Sequence, residues 1–147
     1  MNIVKIEMKS TPGYCSIDER YEDKLTMTSS SISYEYKPYP MAQSTNVYRK
    51  WSYKTNSPIY KFIFDEIVER TPQYLKKDDL MFCCDAGSIE ITAVFEDKHK
   101  ETADYFCSGD FFGEYFTLIK KLVPECEYVP VVLLTSEDYD TEESKSE

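Results

Sequence analysis

Apolar residues recur at every second position in short runs along most of this chain, and that period limits its fold more than any motif does. In "NIVKIEMKS", Val4, Ile6 and Met8 alternate with Lys5, Glu7 and Lys9. Successive side chains of a strand point to opposite faces, so this spacing describes a strand with one buried face. The period returns at Leu25 and Met27, at Ile32, Tyr34 and Tyr36, and at Trp51 and Tyr53. Pro12-Gly13 suits a type II turn after the first strand. Ser29 to Ser31 supplies a hairpin connection, and Pro38 and Pro40 end the third run because proline has no N–H to give a ladder. Later strands are expected in "LMFCC" and "SIEITAVFE", joined through Asp85-Ala86-Gly87, and in "ETADYFC" after the polar turn "EDKHK".

Two stretches change to helical spacing. "SPIYKFIFDEIVERTP" offers Ser57 as N-cap and Pro58 at the first helical position, with Ile59, Phe62, Ile63 and Ile67 on one face and Pro72 beyond the end. "GDFFGEYFTLIKKLVP" repeats the pattern with Asp110 as N-cap, Phe112, Phe116, Ile119 and Val123 on a face, and Pro124 as terminator. Laid over each other, the two helices pair Tyr60 with Phe112, Phe64 with Phe116 and Ile67 with Ile119, which raises the prospect of two tandem strand-strand-helix units. Hairpin-length strands with two one-faced helices predict a single α+β domain over residues 1–135. Its sheet is mainly antiparallel, with both helices on one face. Residues 136–147 have the composition of a disordered acidic tail.

The formal charge of −10 is unevenly spread. Residues 1–77 hold 12 Lys/Arg and 9 Asp/Glu, residues 78–135 hold 4 and 12, and the tail holds 1 and 6. The opening residues lack the apolar run of a signal peptide, and no window approaches the ~18 apolar residues of a membrane span. A cytoplasmic protein is expected, and its five cysteines, an odd number, are expected to be reduced thiols.

The chemistry this sequence can assemble is narrow. Cys83 and Cys84 are neighbours in an expected strand and so point to opposite faces, and there is no C-x-x-C pair and one histidine. A metal site is therefore not expected. No G-x-S-x-G elbow is present, and four glycines form no phosphate or dinucleotide loop, so no cofactor is expected. Asp65, Glu66 and Glu69 form a solvated helix face. "RKWSYK" reads as a core strand with a solvated basic side, Trp51 and Tyr53 lying beneath the helices; its three cations are too few for a nucleic-acid footprint.

What remains is a small protein-binding or regulatory protein without an identifiable catalytic site. The partner is expected to be another protein. Candidate contacts are Tyr39 and Met41, beside two prolines in a loop, with Asp78, Asp79 and Glu96 steering association. Two alternatives stay open: an acidic mimic that occupies the groove of a nucleic-acid-binding protein, and a thiol-dependent enzyme.

Overall fold

Six strands form one antiparallel sheet in the order β4-β3-β2-β1-β5-β6. In the computed structural model, which describes residues 2–11, 21–38, 48–75, 88–105, 112–124 and 130–133, they are β1 (Ile3–Thr11), β2 (Tyr21–Thr28), β3 (Ser31–Pro38), β4 (Arg49–Lys54), β5 (Ser88–Phe95) and β6 (Lys100–Tyr105). Two helices, α1 (Pro58–Tyr74) and α2 (Glu114–Lys120), and a 3₁₀ turn at Val131–Leu133 complete it. This is the expected α+β domain. The Pro12-Gly13 turn, the "LMFCC" strand, the Asp85-Ala86-Gly87 connection, Pro40, Asp110 and all five cysteines lie outside the described residues, as does the tail.

The alternation selects the core as expected over most of the sheet. Ile6, Met8, Leu25, Met27, Ile32 and Ile91 are fully excluded from solvent, with Tyr34 and Tyr36 beside them. Cross-strand pairs put them on one face: Ile6 opposite Met27 and Ala93, Met8 opposite Leu25 and Ile91, Leu25 opposite Tyr34. Val4 departs from the pattern. The β1–β5 register shifts between Ile3 and Lys5, leaving Val4 as the extra residue of a bulge; Ile3 turns inward in its place and Val4 is 44% exposed.

Helix α1 starts where the capping signal places it, with the Tyr60 N–H donating to Ser57 Oγ at 3.4 Å and Pro58 in the first turn. Its buried face is not the expected one. Tyr60, Phe64, Ile67 and Thr71 pack inward, while Ile59 and Phe62 are 72% and 65% exposed and Ile63 is half-buried. Both sets have helical spacing, and the helix rotates toward the stripe that lets polar tips find partners. Tyr60 donates to the Ser31 carbonyl at 2.6 Å, and Thr71 donates to the Ile67 carbonyl at 2.8 Å while meeting the Tyr115 hydroxyl at 2.8 Å. Nor does Pro72 lie beyond the end. It falls within the last turn, and the helix closes at Leu75, whose N–H donates to the Pro72 carbonyl at 3.1 Å.

The second helix is shorter than its sequence pattern. It begins after Gly113, whose φ of 48° belongs to the left-handed region that glycine adopts without a Cβ penalty. Phe112, Tyr115, Phe116 and Ile119 are buried as a face and Val123 is half-buried. Tyr74 of α1 stacks on Tyr115 at 4.5 Å, Phe112 on Phe116 at 4.4 Å, and Tyr105 of β6 meets Phe112 edge-on at 5.1 Å. This aromatic cluster fixes both helices over the same face of the sheet. Superposed positions 60/112, 64/116 and 67/119 are all buried. In the described order β3 and β4 lead into α1 and β5 and β6 lead into α2, with β1 and β2 preceding both runs in the same sheet.

Candidate functional site

The most chemical group among the described residues is Asp23, a carboxylate 1% exposed. It follows the period of Leu25 and Met27 and therefore points into the core. Four donors surround it. Ser10 N (3.1 Å) and Ser10 Oγ reach Oδ1, while Tyr34 Oη (2.8 Å) and Val132 N (2.9 Å) reach Oδ2. Burial pushes the carboxyl above its ordinary value, against the lowering effect of these hydrogen bonds. Every buried side-chain oxygen and nitrogen among the described residues has a partner. A carboxylate sealed and saturated in this way has no lone pair left for a substrate. It works as a rivet, holding the turn at Val132 against β1, β2 and β3.

Glu7, on the opposite face of the sheet, behaves differently. Burial works to raise it, but the hydrogen bond from Lys5 (3.2 Å) and the charges of Lys24 (3.7 Å) and Lys5 outweigh that and hold it below its ordinary value of 4.5. Its contribution is thus fully present above that value and disappears as pH falls through the depressed one. Asp23 has the opposite sign: its raised value means that ionisation weakens the fold as pH rises between the ordinary and raised values. Glu7→Gln is therefore expected to flatten the acid limb of a stability–pH curve measured by denaturant unfolding. An unchanged limb would show that the lysines do not discriminate between the two charge states of Glu7.

Solvent-facing chemistry collects at one edge of the sheet. Among the described residues strand β4 pairs with β3 alone, and its residues are exposed except for the half-buried Trp51. Its register puts Trp51 opposite Tyr34 and Tyr53 opposite Ile32, on the helix-bearing face as the alternation requires. Trp51 is half-buried against the core, whereas Tyr53 is not covered as expected. Tyr53 is 48% exposed, because a strand at the edge has neighbours on one side only. Three residues then lead into α1, whose first two turns present Ile59 and Phe62. Tyr53, Ile59 and Phe62 are thus exposed along this stretch, while Trp51 is half-buried against the core.

Cations alternate with Trp51 and Tyr53 along the strand, on its other face. Lys50 and Lys54 lie on the outer side of β4, and Arg49 sits over the Tyr36 ring at 5.6 Å. Lys61 is exposed on α1. Where β4 turns toward the helix, Ser30, Ser31, Lys54, Thr55 and Asn56 line an open polar cleft of about 460 Å³. Apolar anchors beside hydroxyls and ammonium groups form a surface suited to a segment that carries both aromatic and carboxylate side chains.

Of the sites expected from sequence, Tyr39, Met41, Asp78 and Asp79 lie outside the described residues. Glu96 is exposed in the β5–β6 turn, where its carboxylate accepts from Asn2 Nδ2 at 3.0 Å, on the far side of the sheet from β4. His99 occupies the same turn, exposed, stacked on Phe95 and hydrogen-bonded to Asp97. No cluster of three or more His, Cys, Asp or Glu among the described residues is arranged for a metal ion, and none of the described helices is long and apolar enough to cross a membrane. The chain matches no protein-family model and no curated protein.

Proposed function

We propose that this protein is a binding module that engages a protein partner at the corner built from β4 and the start of α1, and that the partner contributes an acidic segment with apolar or aromatic anchors. The observation that carries this reading is the exposure of Ile59 and Phe62 at 72% and 65% on a helix that is otherwise fixed by Tyr60, Phe64 and Ile67. Isolated exposed apolar residues are ordinary, whereas two on successive turns of one helix favour a binding surface. The acid preference comes from Lys50, Lys54 and Lys61, none of which forms an ion pair among the described residues. Large aromatic anchors with a cationic rim are the pattern from which interfaces draw most of their energy.

Selection of a displayed library of short acidic, aromatic-containing peptides on the wild-type chain tests this. Enriched peptides are expected to lose at least ~tenfold in affinity on Ile59→Ser/Phe62→Ser and on Lys50→Glu/Lys54→Glu, the scale of a lost anchor. Both variants should melt close to wild type. Peptides that bind the two variants as well as the parent would remove the corner from the account.

A further inference from the structure

We infer that the partner adds to the sheet as a strand, an extended segment that hydrogen-bonds along the free side of β4. The inference rests on the reading of the β4–α1 corner as a binding surface and supplies the mode of recognition there. The main-chain phase of β4 carries it. Thr55 N donates to the Ser30 carbonyl at 2.9 Å, one step beyond the Ser31–Lys54 pair. Bonded and non-bonded pairs alternate along an antiparallel ladder, so Arg49, Trp51 and Tyr53 exchange hydrogen bonds with Tyr36, Tyr34 and Ile32. The N–H and C=O groups of Lys50, Ser52 and Lys54 therefore point away from β3, to the side where no described strand lies. This row of donors and acceptors is a template for one more strand.

Side chains set the sequence of that strand. Directly opposite residues share a face, so those facing Lys50, Ser52 and Lys54 lie on the outer side of the sheet. The residues between them lie on the helix-bearing side beside Tyr53, which is 48% exposed, and are aromatic or β-branched. Acids suit the positions opposite the lysines, and a hydroxyl residue suits the one opposite Ser52. Lys54 stands opposite Ser31 and lines the polar cleft with Thr55 and Asn56. Lys50 stands opposite Glu35, whose carboxylate is already held by Lys37 at 3.2 Å and by the Tyr48 hydroxyl at 2.6 Å. The same lysines disfavour a second copy of β4. Antiparallel pairing about Ser52 would put Lys50 of each copy against Lys54 of the other, and like charges directly opposite are destabilising. Strand β6, at the other edge, suits such a segment less: Ala103 and Tyr105 on its helix-bearing side are buried, and it carries Glu101 and Asp104.

The probe is a synthetic peptide with the core Glu-Tyr-Thr-Val-Glu, titrated into the full chain. It is expected to bind, and the permuted core Glu-Glu-Tyr-Thr-Val to bind at least ~fivefold more weakly, the scale of a lost hydrogen bond. On binding, amide exchange should slow at Lys50, Ser52 and Lys54 and stay unchanged at Trp51 and Tyr53, which β3 already holds. Two further peptides carry N-methyl groups either on the Glu and Thr amides or on the Tyr and Val amides. One set should abolish binding and the other spare it, because alternate amides of an added strand face β4. Ser52→Pro removes an outward N–H and spares the β3 ladder; it should melt close to wild type and weaken the peptide at least ~fivefold. Equal effects of the two methylated sets would overturn strand addition and leave the corner as a surface for side-chain docking. So would a probe that does not bind while peptides selected on the wild-type chain do. Failure of both would overturn the reading of the corner itself. Self-association that grows with protein concentration and disappears in Ser52→Pro would place a second copy on β4 and contradict a foreign strand.

Discussion

Asp23→Ala is expected to lower stability by roughly 3 kcal/mol or more, because it strands the Ser10 and Val132 N–H groups in a buried site and each unsatisfied donor costs about 1–3 kcal/mol. For a chain of this length that corresponds to a melting temperature about 6–12 °C lower. Asp23→Asn is expected to fall between the two. Its single carbonyl can serve one pair of donors, while its amino group faces the other; the Ser10 and Tyr34 hydroxyls can reverse, but a backbone N–H cannot. Thermal melts of the three proteins measure the effect, and loss of amide-exchange protection at Val132 locates it. A variant as stable as wild type would mean that the turn at Val131–Leu133 holds without its rivet.

The second large effect separates two phenylalanines that lie two residues apart. Phe64 is 2% exposed and Phe62 is 65% exposed. Phe64→Ala should therefore cost about 3–5 kcal/mol, the usual loss for truncating a core aromatic. Phe62→Ala should stay within about 0.5 kcal/mol, as surface substitutions do. Denaturant unfolding of both variants decides the rotation of α1 about its axis. Similar losses at the two positions would mean that the helix buries the other stripe.

These two cases also show where the sequence was legible. Period-two spacing gave the buried face of β2, β3 and most of β1 because a sheet face admits no intermediate orientation. It failed at Val4, where one bulged residue shifts the pattern without a mark in composition. The signal for Asp23 was present in that same period, since positions 23, 25 and 27 share a face; an acid's usual preference for water masked it. Helix α1 was harder because two apolar stripes share one segment, Ile59-Phe62-Ile63 and Tyr60-Phe64-Ile67, and only partners distant in sequence, Ser31 and Tyr115, choose between them. That ambiguity hid the candidate site. The apolar stripe assigned to the core from spacing is in part the surface now proposed for binding, and Tyr53 was likewise assigned cover that it does not receive, while Trp51 is half-buried against the core.

Amide hydrogen exchange, with and without a peptide selected on the wild-type chain, tests the β4–α1 corner most directly. Added protection is expected at Arg49–Lys54 and over the first two turns of α1, with β5 and β6 unchanged. A peptide that binds tightly while its protection falls on β5, β6 or the Glu96 turn, leaving β4 unaffected, would contradict the account.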